Sequence, residues 1–503
     1  MSCCCEMNRR DFMALSAAGA AGVTLGLPPA ARASRTSEEW NPDKPLKRVG
    51  KSLKIQPVLM YQVAQYRKEA SWKSWGGIQT DESAREEVKR ITRELADLKA
   101  KADFALEILP VKTVQTAEEA AALHDKSYDV IIVYPATGSG KMLQACFGAQ
   151  KNTILFVRHK SGPVYYWYEA LSVEYLQTDK PDERPGKLVH KDDVVVDNYS
   201  EMLWRLRAFY GVKNMLGTRI VALGGAWGKY SAEAPQLSRD QFGLQIIATG
   251  YDDMEKRITA ALADRGLMRE AEKWTDRYLA LPNTTLKTEK KFVVNAFMLY
   301  KVFKDSVREN NADAFTIKSC MGTIIPMSKT TACLTLGLLN DEGLPAFCES
   351  DFVVIPPALL LYHISGKPVF LHNSTFPHQG MVTCAHCIGP RRMDGEHYDP
   401  AEIMTHYESE YGAAPKVSMP IGQELTFLDP EYSTLRWLGF KGIVKDNPFY
   451  EICRSQQDVE IVGDWKKLLA EVRDSHWVAV YGDYLRETEY AARRIGVKWE
   501  GLG

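Results

Sequence analysis

The run Asp129-Val130-Ile131-Ile132-Val133-Tyr134 restricts the fold more than any other stretch of this chain. A segment this continuously apolar cannot leave one face in water. It fits a strand covered on both sides, as in a parallel sheet with helices above and below. Leu53 to Tyr61 and Asn152 to Val157 have the same texture. Between the first two runs, Thr80-Asp81 offers an N-cap, and Val88, Ile91, Leu95 and Leu98 recur at helical spacing. The alternation predicts a doubly wound α/β domain over 51–165.

A second α/β domain is expected over 166–290. Thr218 to Leu223 reads as a strand entering the turn Gly224-Gly225-Ala226-Trp227-Gly228, Gln245 to Ala248 as a short strand, and Asp252 to Arg265 as an amphipathic helix stopped at Gly266. Ligands of open α/β sheets sit beyond the carboxyl ends of strands, so this turn and Trp227 are expected on the substrate side. It lacks the G-x-G-x-x-G spacing of a dinucleotide site. Thr137-Gly138-Ser139-Gly140-Lys141 imitates a phosphate-binding loop, but Pro135 stands where its first glycine belongs and Met142 where a hydroxyl must hold magnesium.

From 291 to 503 the texture changes. Helices are expected over 291–309 and 330–339, with a strand from Ala314 to Lys318. Past 415 short strands alternate with turns: Glu424 to Phe427, Gly442 to Val444, Val459 to Val462 and Trp477 to Tyr481. The expected fold class is therefore two doubly wound α/β domains followed by a mixed α+β C-terminal domain with antiparallel strands, in the manner of a small barrel.

A length of 503 residues, 45% hydrophobic and 25% charged, suits a globular chain of several domains. The net charge of −1 gives no electrostatic reason to bind nucleic acid or an anionic membrane. Residues 1–33 read as an export signal: Arg9-Arg10 with Phe12 two residues on, an apolar run to Leu27, then Ala31-Arg32-Ala33. The paired arginines resemble a twin-arginine signal, which carries folded proteins to the periplasm or beyond. Residues 34–50 are a polar lead-in, and nothing is expected to span a membrane after signal removal. Seven cysteines follow the signal, an odd number that rules out a fully paired disulfide framework. Cys384-x-x-Cys387 fits a redox pair or half a zinc site, with buried free thiols as the plainer reading.

The chemistry concentrates at Cys348-Glu349-Ser350-Asp351. Six of the ten histidines crowd between His363 and His406 just after it: His363, His372, His378, His386, His397 and His406. Two carboxylates at i and i+2 with imidazoles downstream are groups that hold a divalent ion and move protons beside it. The competing readings are plain. Glu349 and Asp351 could cap the helix that carries Pro356-Pro357, and most of the histidines could be structural.

Phe347-Cys348-Glu349-Ser350-Asp351, then Leu359 to Tyr362 and Ser365-Gly366-Lys367-Pro368-Val369-Phe370-Leu371, resemble the C-terminal half of the L-fucose isomerase family. Asn311 to Lys318, Leu338 to Asp341 and His476 to Asp483 fall where that family's equivalents would. The related L-arabinose isomerases share the architecture. The resemblance covers 290–490. It implies a divalent metal, usually manganese, that helps interconvert an aldose and a ketose through an enediolate, with a small-molecule sugar as partner and a homo-oligomer as assembly. Carried over by position, Asp351 is implied as the first metal ligand and His476 as the second. Glu349 is implied as ligand or base and, by analogy with the arabinose isomerases, His386 as a further ligand. Glu349 and Asp351 are the implied catalytic pair, and Lys318, Arg454 and Trp227 are expected to meet substrate. One departure stands out. The family's glutamate after the lysine is missing, and Phe315 to Asn340 contains no acid. A sugar-binding protein without catalysis, or a metal-dependent epimerase or dehydratase, are the alternatives.

Overall fold

The computed structural model describes residues 40–124, 127–148, 151–180, 187–431, 435–471 and 473–502. The expected signal and the start of the lead-in lie outside them. Two large sheets are wholly parallel. In the first, Leu106–Ile108, Leu53–Met60, Val130–Pro135, Asn152–Val157 and Val194–Val196 lie side by side in that order, and Lys112–Val114 also pairs with Leu53–Met60. Every residue of Val130–Pro135 is buried, as a doubly covered strand requires. The helix Asp81–Lys101 starts at a Thr80 capping box with Ser83 and buries Ile91, Leu95 and Leu98. Its inner face also holds Glu87, clamped to Arg158 at 2.5 Å.

The second parallel sheet has the order Gln245–Thr249, Arg219–Leu223, Ala314–Ile317, Ala346–Phe347. Its last two strands come from beyond residue 290, so the sheet runs across the boundary expected there. The helix before it also differs from expectation. It covers Tyr251–Ala263, and a second helix, Arg265–Leu279, starts at once. Asp264 accepts from the Gly266 and Leu267 amides, so Gly266 opens a helix where it was expected to stop one.

The C-terminal part is antiparallel. Glu424–Pro430, His476–Tyr481, Phe370–Ser374, Met381–His386, Ser455–Val462 and Arg436–Asp446 pair in sequence, and the last pairs back onto the first. This closes a barrel and leaves no exposed edge among its strands. Lys498–Gly501 adds to its outside in parallel. Phe370, Phe427, Phe440, Val459 and Trp477 fill the interior, with Phe427 and Phe440 stacked at 4.8 Å. The architecture is thus mixed: α/β with parallel sheets, then an antiparallel barrel. No helix among the described residues is long and apolar enough to cross a membrane.

Two features of this topology meet. Strand order in the second sheet reverses between Arg219–Leu223 and Ala314–Ile317, which opens a crevice at their carboxyl ends. On the barrel, Asn373 pairs with both His476 and Ala385, so His476 and His386 stand on one rim.

Candidate metal centre

The strand Ala346–Phe347 ends in a sharp reversal. Glu349 (φ 60°) and Ser350 (φ 53°) are both left-handed, a conformation that costs a side-chain-bearing residue about 1 kcal/mol or more. The neighbouring turn after Leu223 holds it in place. The indole N–H of Trp227 donates to the Glu349 carbonyl. Ser350 Oγ donates to the Gly225 carbonyl at 2.8 Å, and Phe352 N to the Trp227 carbonyl at 2.9 Å. Trp227 and Asp351 form an isolated parallel bridge. Gly224 and Gly225 both have positive φ, which lets this turn approach so closely.

The reversal sends the two carboxylates to opposite nitrogens of one imidazole. Asp351 Oδ2 lies 2.7 Å from His476 Nδ1, and Glu349 Oε2 lies 3.3 Å from His476 Nε2. The other oxygen of Glu349 faces His386 Nε2 at 3.7 Å. Ligand atoms of Glu349, His386 and His476 all fall within 4.8 Å of one another. Asp351 and His476 are fully buried, whereas the Glu349 side chain is 39% exposed and forms the open side. Burial works against charge on His476, but Asp351 and Glu349 outweigh it and push the ring up to about 9. Burial would raise Glu349; His386 and His476 instead hold it well below the ordinary carboxylate range.

Asp351 does not join the converging set, although it was expected as the first ligand. Its Oδ1 accepts from the Lys229 and Val353 amides at 2.9 and 3.1 Å, and its Oδ2 takes the imidazole. Accepting from Nδ1 fixes the proton there and turns the Nε2 lone pair outward, the usual second support of a metal-binding histidine. His386 is set differently. Its Nδ1 accepts from the Cys387 amide at 3.0 Å, which leaves the proton of a neutral ring on Nε2. Both Nε2 atoms are buried without a hydrogen-bond partner. A donor set of two imidazoles and one carboxylate, with two such atoms unpartnered, fits a divalent ion.

The expected substrate contacts separate. Lys318 Nζ sits 5.6 Å over the Trp227 ring, so ring face and ammonium occupy each other. Trp227 itself is spent on holding Glu349. Arg454 is engaged by its neighbours, with Nε 2.8 Å from the Thr405 carbonyl and the guanidinium near the Tyr407 and Phe449 rings. Among the other histidines, burial pushes His363 down to about 4 and His372 to about 3, so both are neutral core residues. His397 is exposed beside Asp394, and His406 lies by Ser409. Cys384 and Cys387 are free, buried thiols, and the Cys387 sulfur accepts from the Arg454 amide at 3.4 Å.

Three contributors lack a motif. Lys229 supplies an amide to Asp351 and its ammonium to Ser475 Oγ at 3.0 Å. Asp474 fixes the entry to the barrel strand through the Ser475 and His476 amides. Cys320 fills the stretch where the resembled family has its glutamate; it bonds with Cys348 and senses the charge of Glu349. Only the Asp474-Ser475-His476 spacing offered a local signal. A second group, Asp179, His190 and Asp192, is already neutralised by Lys191 and Arg493. The chain matches no protein-family model and no curated protein.

Proposed function

We propose that this chain is a metal-dependent enzyme that moves a proton between adjacent carbons of a monosaccharide, interconverting aldose and ketose. The observation that carries the reading is the meeting of two acceptors. With its Nδ1 proton held by Asp351, His476 meets Glu349 Oε2 at 3.3 Å through Nε2, and a proton fills that gap in the metal-free ring where a cation can replace it. Acceptors that close repel unless a proton or a cation lies between them.

Glu349, His386 and His476 would hold the ion. Manganese is the first choice, and iron or zinc suit the same donors. When bound, a divalent ion polarises neighbouring substrate oxygens and stabilises the negative charge of an enediolate. The residues do the rest. Asp351 keeps His476 in one tautomer and one orientation. Glu349, held low and partly open to solvent, is the group that meets a substrate C–H or O–H and takes its proton. To serve as a ligand His386 must turn its proton to Nδ1 and release the Cys387 amide, and it then carries no proton on Nε2. With Cys320 in place of the family's glutamate, Glu349 is left as the proton carrier. The two parallel sheets are read as two doubly wound domains that frame the crevice, and the working form as an exported homo-oligomer with a sugar as its partner.

The deciding experiment pairs metal analysis of the purified mature chain with NMR of an aldose panel in D2O. About one divalent ion per chain, with deuterium entering at the carbon beside the carbonyl, is the expected result. Saturable sugar binding with no exchange would convert the reading to a sugar-binding protein; product analysis separates isomerisation from epimerisation or dehydration.

A further inference from the structure

A second cavity of about 220 Å³ opens beside the barrel, lined in part by Ser374, Asp429, Leu468, Arg473, Asp474 and Trp477. Its polar groups are unusual in being unsatisfied. Asp429 is fully buried and neither carboxylate oxygen has a hydrogen-bond partner. Asp474 is 5% exposed; its Oδ1 holds the Ser475 and His476 amides, while its Oδ2 has no partner. Ser374 Oγ and Arg473 Nε are also unpartnered. Buried polar atoms are nearly always bonded, and leaving one bare costs about 1–3 kcal/mol. Four side chains left bare around one hollow are therefore a site, not scatter.

The imbalance of the lining identifies the occupant. Three carboxyl oxygens lack donors, and Arg473, the one cation among the described lining residues, is engaged by Glu500 at 2.7 Å and by Glu471. Leu468 and Trp477 supply an apolar flank. We infer that this cavity binds a small primary ammonium compound, its three N–H donors directed to Asp429 and Asp474 and its short carbon body against Leu468 and Trp477. Burial keeps the Asp429 carboxyl well above its ordinary range, with Arg473 pulling the other way; an ammonium beside it would favour the ionised carboxylate that accepts its N–H donors. The site is distinct from the Glu349 centre but shares a wall with it, because Asp474 serves both the cavity and the backbone of His476.

The test uses the full mature chain and ligand-observed NMR titration with 2-aminoethanol as its ammonium salt, against ethylene glycol as the neutral match. The expected result is saturable binding of the amine, at least about tenfold tighter than the diol, as expected for a charge-assisted pairing. Asp429→Asn is expected to weaken it by about tenfold or more for the same reason. Because a buried change can disturb folding, Leu469→Trp is the second variant; Leu469 lines the cavity and is only part buried, so the indole fills the space and should abolish binding. Equal affinity for amine and diol, undiminished binding in Leu469→Trp, or no binding of either compound would overturn the assignment.

Discussion

His476 Nδ1 lies 2.7 Å from Asp351 Oδ2, and neither side chain is exposed. Asp351 has both oxygens engaged, because two backbone amides take the other one. A buried carboxylate satisfied this fully orients its partner and is not available as a ligand itself. The sheet contributes the orienting acid and the barrel contributes the ring, so the centre exists only where the two meet.

Asp351→Asn should therefore weaken metal binding without erasing the site. Losing a supporting carboxylate behind a histidine ligand typically costs 10–100-fold in affinity, about that range being expected here. His476→Ala should cost more, since it removes the donor atom. Competition with a fluorescent chelator measures both. Unchanged affinity in His476→Ala would remove the centre from its proposed place.

The metal-free protein should lose stability as pH rises. His476 is raised from 6.5 to about 9, so its stabilising share is complete below about 6.5 and disappears as pH climbs through 9. The shift corresponds to on the order of 3–4 kcal/mol at most, and less in practice because Glu349 is partly exposed. The depression of Glu349 describes the same contact and is not added. Urea midpoints of chelated protein at pH 6 and pH 9.5 test the sign. Added divalent ion should offset the loss at the higher pH, because it replaces the proton.

Trp227→Phe should loosen the centre although Trp227 touches no ligand atom. It removes the indole N–H that holds the Glu349 carbonyl while keeping most of the ring. Without that bond the left-handed turn at Glu349 and Ser350 loses a restraint, and metal affinity should fall by about tenfold or less, the scale of one hydrogen bond. If affinity holds and only the sugar KM rises, Trp227 meets substrate directly.

The sequence shows its strands clearly where burial is two-sided, as in Val130–Pro135, because no other element tolerates so continuous an apolar run. Short strands were harder to place. Ala346–Phe347 has two residues, and nothing local tells it to extend a sheet begun at Arg219. Barrel closure depends on His476–Tyr481 settling between Glu424–Pro430 and Phe370–Ser374, long-range pairings without a motif. The acidic motif was legible as chemistry, but not the division of labour within it. Which carboxylate ligates and which orients depends on two positive φ angles and on the amides of Lys229 and Val353. His386 and Glu349 lie 37 residues apart, and only the strand register brings them to 3.7 Å.

Glu87 escaped the helical pattern because a carboxylate on the inner face of Asp81–Lys101 reads as a break in an apolar stripe. It is 1% exposed, 2.5 Å from fully buried Arg158, and it also accepts from Tyr165 OH at 2.6 Å. Glu94 shares the guanidinium from two turns further along, at 2.6 Å. Removing one member of such a pair leaves a buried charge without compensation, whereas replacing both removes the desolvation cost together with the attraction. Glu87→Ala should therefore cost about 3–5 kcal/mol. Glu87→Leu combined with Arg158→Met should cost clearly less than Glu87→Ala, despite changing two core residues. Urea unfolding followed by tryptophan fluorescence gives both values. A single variant within about 1 kcal/mol of the parent would mean that Glu94 alone satisfies Arg158 and that Glu87 is redundant.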